Sequence, residues 1–380
     1  MPGSILVARV LGIDIRIHLS WFLIFALILF TLADQVLPEL RPNWSDQKTV
    51  IVAAVTALLF FISVLAHELS HAVVARRFKM DVSSITLFLL GGVANLRKEP
   101  PSAKAEFLMA GAGPLMSFVI GIIGLGISFI VTDRLAFSPA LDPVGVVASY
   151  LGIINISLGV FNLIPGFPLD GGRVLRSIVW GIRKDRHVAT RIAARGGQVV
   201  AGLLFLVGVY RAIELHDTFG GVWSGMIAYF LYNAASSSIQ QERMTEALSG
   251  ATVRSLLHGE PPTASSGMTV GRLVREVMLP NALRAVPIMR GDRLVGLVTV
   301  ADLHKIDQTK WEWTSVDEAM TGIDQLAMVA PDDTLVSTLE RFQTSPTPVL
   351  LVLEGSRLVG ILDREAIVGY LRMRESLGLR

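Results

Sequence analysis

Apolar residues gather along the first two thirds of the chain into long runs, at about 19–38, 50–75, 105–132, 146–180, 197–214 and 220–239. Helices of about 20 apolar residues match the roughly 30 Å hydrocarbon core of a bilayer, so each run is expected to cross or nearly cross it. The fourth is too long for one straight span and carries Pro165 and Pro168, so it should break near those residues. Two segments follow a different period. Gly12–His18 alternates residue by residue and reads as a short strand. Ser83 to Asn95, around Leu87-Phe88-Leu89-Leu90-Gly91-Gly92-Val93, reads as an apolar hairpin just after the second run. From about Gln241 the chain becomes mixed and charged, as in a soluble domain.

Composition sharpens this picture. Of 380 residues, 52% are hydrophobic and only 17% are charged, against about a quarter charged in an ordinary soluble domain. The basic residues stand in short loops between apolar runs, the pattern of membrane topology and not of a nucleic-acid surface. Arg76, Arg77, Lys79, Arg97, Lys98 and Lys104 lie between the second and third runs, and Arg183, Lys184, Arg186, Arg191 and Arg195 after the fourth. The alternate loops are poor in them, so both termini are expected to be cytoplasmic in a multi-pass protein of the cell membrane. No small-residue cleavage site follows the first run, which is therefore read as a retained helix. With no cysteine in the chain, disulfides and thiolate ligands are excluded, and a metal must be held by His, Asp or Glu.

Two segments carry chemistry. The second run contains Ala66-His67-Glu68-Leu69-Ser70-His71, and the fourth contains Asn162-Leu163-Ile164-Pro165-Gly166-Phe167-Pro168-Leu169-Asp170-Gly171-Gly172. Residues four apart share a helix face, so His67 and His71 can address one ion, with Glu68 beside it as a general base. A charged group in a bilayer costs roughly 2.5–3.5 kcal/mol on insertion scales, so such residues are functional by default. The derived topology sends the second and fourth runs in the same direction and brings His67 and Asp170 to similar depth. Asp170 is thus the expected third ligand of one catalytic Zn²⁺. His18, His187, His216, His258 and His304 sit near span ends or in the soluble part and are read as interfacial or surface residues.

The pair AHELSH and NLIPGFPLDGG resembles the site-2 protease family of intramembrane zinc metalloproteases, over about residues 1–240. The resemblance implies that His67, His71 and Asp170 hold zinc and that Glu68 is the catalytic base. It also implies that Asn162 holds the substrate strand or stabilises the oxyanion. The hairpin then becomes a membrane-associated sheet edge able to accept an unwound substrate as an added strand. Gly111-Ala112-Gly113-Pro114 is expected to permit close helix packing near the site.

The tail repeats itself over about sixty residues. Val286-Pro287-Ile288-Met289 and Arg293–Asp302 correspond to Thr347-Pro348-Val349-Leu350 and Arg357–Glu365. Each unit reads as strand, turn, strand, helix, and the pattern resembles a CBS domain pair, an α/β module that often binds adenine nucleotides. Gly296, Thr299 and Asp302 match that family's ribose- and phosphate-binding run. The second unit has Asp363 at the hydroxyl position and Ala366 at the acidic one, so at most one nucleotide site looks intact.

The expected architecture is a polytopic α-helical membrane protein of about six transmembrane helices, with a short membrane-associated β-hairpin and a cytoplasmic α/β CBS pair. The expected domains are a transmembrane zinc protease domain (1–240), a linker (241–251) and CBS repeats at 252–310 and 311–380. The expected function is intramembrane proteolysis of a single-span membrane protein, which the resemblance implies is an anti-sigma factor or membrane-tethered regulator, modulated by the tail. Membrane lipid and a homodimer through the CBS domains are the other expected partners, and nucleic acid is not one. The rival reading is a CBS-regulated metal transporter, which has no need of a glutamate beside the two histidines.

Overall fold

The computed structural model describes residues 3–89, 91–96, 100–134, 140–257, 259–345 and 347–377. Leu90, Arg97, Lys98 and His258, which entered the sequence reading, lie outside them. The chain divides into two units, Met1–Glu242 and Arg243–Arg380.

The first unit opens with a hairpin, β1 (Ser4–Val10) and β2 (Ile13–His18), joined through Leu11 and Gly12 at φ 51° and 73°. Two consecutive left-handed residues suit the twist of a two-residue hairpin. The helices α1 (Ser20–Leu40) and α2 (Asp46–Arg77) follow. The Ser45 side chain accepts the Lys48 N–H at the start of α2, and Arg76 and Arg77 fall in its last turn, where the helix dipole favours cations. Next come β3 (Val82–Phe88) and β4 (Gly91–Leu96), then α3 (Ala103–Phe129), α4 (Asp142–Asn162), α5 (Asp170–Arg183), α6 (Arg186–Ile213) and α7 (Thr218–Leu248).

The four strands form one sheet in the order β1-β2-β3-β4, with β2 and β3 parallel and the two hairpins antiparallel. Both expected β segments are present. The added strand, β1, was not legible, because its Ile5, Leu6 and Val7 are all exposed and so show no inside–outside alternation. The sheet is anchored by Ile13, Ile15, Val82 and Ile85, which pack with Ala72 and Ala75 of α2 and Met109 of α3.

Five helices among the described residues are long and apolar enough to cross a membrane: Ser20–Leu40, Asp46–Arg77, Ala103–Thr132, Asp142–Asn162 and Arg186–Ile213. The sixth expected span, at 220–239, is helical but belongs to none of them. Ser224, Tyr229, Tyr232 and Asn233 dilute its apolar character. The fourth run breaks as its prolines require, into α4 and α5 with a non-helical stretch between. Helices α3 and α4 approach through small residues. A Cβ on Gly124 would lie 2.8 Å from the Ala148 carbonyl, and one on Gly152 would lie 2.9 Å from the Leu125 nitrogen. Such backbone contact supplies the dispersion and close packing that replace the hydrophobic effect in lipid.

The second unit holds two matching halves. β6 (Ala285–Arg290) and β7 (Arg293–Thr299) pair antiparallel, as do β10 (Val349–Glu354) and β11 (Arg357–Asp363), each with a bulge at the equivalent place. Short helix α8 (Val300–Leu303) follows β7, and α10 (Arg364–Ser376) follows β11. Minor strands β5 (Ala264–Ser265), β8 (Thr321–Gly322) and β9 (Met328–Val329) complete two small sheets, and α9 (Leu335–Thr344) precedes β10. Residues 241–251, expected as a linker, are instead helical through Leu248. Leu248 and Ala251 are apolar and are buried in the tail core with Leu335, Leu350 and Ile367.

Candidate metal centre

Three helices supply the centre. On α2, His67 and His71 stand one turn apart with ring centroids 4.9 Å from each other. Asp170 is the first residue of α5, delivered by the break after α4. The Asp170 Oδ2 lies 3.1 Å from His67 Nε2 and 3.2 Å from His71 Nε2, and the two Nε2 atoms are 3.2 Å apart. Tetrahedral coordination at bonds of about 2.0–2.1 Å places ligand atoms roughly 3.3 Å from one another. The three atoms therefore have zinc-ligand spacing.

The outer ring nitrogen of His71 fixes its tautomer. His71 Nδ1 lies 2.6 Å from the Met109 carbonyl, which can only accept, so Nδ1 carries the proton and Nε2 presents a lone pair inward. His67 Nδ1 lies 2.8 Å from Ser117 Oγ on the same face of α3. With the His67 Nδ1 proton given to Ser117, two imidazole lone pairs and a carboxylate oxygen converge on one point, the donor set that a cation takes. Between Met109 and Ser117 stands Gly113. A Cβ at that position would lie 2.1 Å from His71 Nε2 and 2.5 Å from His67 Nε2. The missing methyl group keeps the space in front of the ligands open.

Glu68 sits beside the ligands, half-buried, within electrostatic reach of both histidines, Asp170 and Arg173. Its other neighbour is the sheet. A Cβ on Gly92 of β4 would fall 2.4 Å from Glu68 Cγ and 3.0 Å from Oε1. The edge strand of the sheet therefore runs against the expected base.

Asn162 ends α4, partly exposed, and makes no hydrogen bond to the cluster among the described residues. The neighbouring Leu163 carbonyl packs on Gly171, only 2.2 Å from where a Cβ would stand, so Asn162 lies beside the start of α5. Sequence reasoning missed Ser117, the Met109 carbonyl, and a buried ion pair between Glu106 of α3 and Arg176 of α5. A carbonyl has no side-chain signature, and neither partner of that pair belongs to a motif.

The tail residues Gly296, Thr299 and Asp302 behave differently. Thr299 and Asp302 form a reciprocal capping box at the start of α8, with Asp302 also held by Lys305 at 2.9 Å. A Cβ on Gly296 would meet Met320 and the Thr321 carbonyl. None of the three lines a cavity of about 340 Å³ bounded by Leu256–Leu257 and Ala282–Ala285 of the first repeat and by Gly360, Asp363 and Ala366 of the second. The space thus borders Asp363 and Ala366, the positions where the second motif departs from the pattern.

Helices of membrane-crossing length that enclose two histidines, an aspartate and an HExxH glutamate define a multi-pass membrane metalloprotease. The profile of peptidase family M50 matches residues 55–138 and 138–207, and that of the CBS domain matches residues 253–308. A relative from Synechocystis sp., whose zinc metalloprotease assignment is itself inferred, is 31% identical over 98% of this chain and 96% of its own. A zinc metalloprotease of Methanocaldococcus jannaschii is 27% identical over 99% of both chains. The solved site-2 protease of the same organism is 31% identical, covers 62% of this chain and 95% of its own, and superposes with a TM-score of 0.44. The chain belongs to peptidase family M50 and is a zinc metalloprotease with a CBS domain in its tail. That class sets aside the transporter reading.

Proposed function

We propose that this protease cleaves single-span membrane proteins within or near their transmembrane segment, with both of its own termini in the cytoplasm. His67, His71 and Asp170 hold the zinc, and Glu68 is the base. The observation that carries the reading is the convergence of three potential ligand atoms within 3.2 Å, one residue from Glu68, toward the end of a membrane-length helix. Zinc bound there would polarise the scissile carbonyl and lower the pKa of water toward about 7. Glu68 takes a proton from the attacking water and delivers it to the leaving nitrogen. Asn162, beside the start of α5, steadies the extended substrate or the developing oxyanion.

A substrate helix bonds its own peptide groups and resists attack, so a short stretch must unwind. Strand β4 is the edge of its sheet and lies against Glu68. An unwound segment adding to that edge satisfies its backbone groups at the base. A membrane-tethered regulator or anti-sigma factor is the substrate class that suits this chemistry. In the tail, a cavity of about 340 Å³, within the usual range for small-molecule sites, accepts an adenine nucleotide that modulates cleavage, and the same module supports homodimers.

The test is cleavage of a single-span substrate in proteoliposomes by wild type and Glu68→Gln, with zinc quantified in both. Wild type should cleave and Glu68→Gln should fall by about 10²–10⁴-fold, with equal zinc. Equal cleavage by both would refute the assignment of the base.

A further inference from the structure

Along α5, Asp170, Arg173 and Ser177 recur at three- and four-residue intervals and so share one face, with Arg176 at its flank. The two ends of that face are fully engaged. Asp170 meets the histidines, and Arg176 is bonded to Glu106, a carboxylate with no solvent exposure. Ser177 is buried and donates to the Val174 carbonyl. Arg173 lies between them and is different. It is half-buried, within electrostatic reach of Glu68 on one side and Arg176 on the other. Among the described residues it makes no hydrogen bond and no ion pair.

A guanidinium is never deprotonated in proteins and offers five donors in a rigid fork. Keeping one partly buried and unpaired next to a second arginine is costly. The cost is understandable if an anion arrives during turnover. Peptide hydrolysis makes one at this place. Water adds to the carbonyl carbon, and the former carbonyl oxygen becomes negative. The C–N bond then breaks with its electron pair leaving on nitrogen, both protons of the water end on the amine, and the acyl fragment keeps a carboxylate.

We propose that Arg173 is a catalytic residue: its guanidinium receives the scissile carbonyl oxygen as it becomes negative and then holds the new carboxylate of the product. This rests on the proteolytic reading above. Donors aimed at a developing oxyanion favour the transition state over the ground state, because their bonds strengthen as charge appears. The planar fork suits the carboxylate that follows. The position also explains why two arginines stand one turn apart on a short helix: Arg176 secures α5 to α3, and Arg173 is left free to meet substrate.

The experiment uses full-length wild type, Arg173→Gln and Arg173→Lys in proteoliposomes. It reads single-turnover cleavage, zinc content, and affinity for a peptide matching the acyl-side product, made as the free acid and as the C-terminal amide. Arg173→Gln is expected to lose about 10²–10³-fold in cleavage rate with zinc unchanged, and wild type's preference for acid over amide should vanish. Arg173→Lys should recover part of both. The proposal is overturned if Arg173→Gln cleaves within about threefold of wild type, if it loses zinc together with activity, or if its acid preference persists. The peptide arm needs no turnover. Failure of the proteolytic reading, seen as no difference between wild type and Glu68→Gln, is therefore distinguishable from failure of this one.

Discussion

The metal centre and the capping box of the tail are both small clusters of polar side chains picked out by motif, and they differ in what their atoms lack. At Thr299 and Asp302 every donor finds an acceptor: hydroxyl to carboxylate at 2.7 Å, backbone N–H to carboxylate at 3.1 Å, and the Lys305 ammonium to the outer oxygen. Each of these groups finds its partner within the cluster. At His67, His71 and Asp170, two ring nitrogens and one carboxylate oxygen crowd within 3.2 Å of one another, and any proton between them must be shared. Their outer nitrogens have partners of their own in Ser117 and the Met109 carbonyl, which leaves the inner ones to face each other and Asp170. The first cluster holds a helix end through its own hydrogen bonds, and the second gathers the kind of atoms that a cation coordinates.

The sharpest way to break this contrast is to fill the space in front of the acceptors. Gly113→Ala puts a methyl carbon about where the zinc would stand, given the 2.1 Å approach to His71 Nε2. Zinc content should drop to background, and cleavage should fall further than the roughly 10²–10⁴-fold that a general base contributes. Metal analysis of the purified variant decides it. Full zinc occupancy would mean that the ion sits elsewhere.

A smaller effect is expected from loosening one ring. Ser117→Ala leaves His67 Nδ1 without its 2.8 Å partner, so the imidazole can rotate and change tautomer. Zinc affinity should weaken by about 10–100-fold, as at other outer-sphere partners. Competition with a chelator measures it, and an unchanged affinity would remove Ser117 from the site.

The smallest effect tests the tail. Burial opposes ionisation of Asp302, but hydrogen bonds from Lys305 and from the Thr299 hydroxyl and N–H outweigh it, and its pKa lies below the ordinary 3.8. A depressed carboxylate contributes stability that is present above its unfolded pKa and is lost as pH falls through the folded one. Asp302→Asn should therefore destabilise the first tail repeat by about 1 kcal/mol at neutral pH, the usual worth of a cap. The difference from wild type should shrink once the medium is more acidic than the folded pKa. Hydrogen exchange across Arg293–Lys305 follows this, and a pH-independent difference would show that packing, not charge, is at stake.

Much of the centre was legible because its identity is local. Four-residue spacing puts His67 and His71 on one face, and Pro165 and Pro168 announce the break that frees Asp170. What was illegible is set by packing between helices. Nothing in the sequence says that Ser117 rather than another hydroxyl meets His67, or that Glu106 finds Arg176. Strand β1 escaped because alternation appears only where one face of a strand is buried. The tail motif was visible in Gly296, Thr299 and Asp302. Whether it borders open space depends on Met320 and Thr321, which arrive from outside the motif.

An edge strand pairs with a visitor through amide and carbonyl groups, and these are the same whatever side chains the visitor carries. A protease that meets its substrate along β4 would therefore read little of the local spelling. Discrimination would pass to the visitor's own mechanics: how readily a few turns of its helix come undone at the right depth. Glycine, proline or asparagine in a target span would then act as a grammar of weakness, and a perfectly regular helix would be spared however well its residues fit.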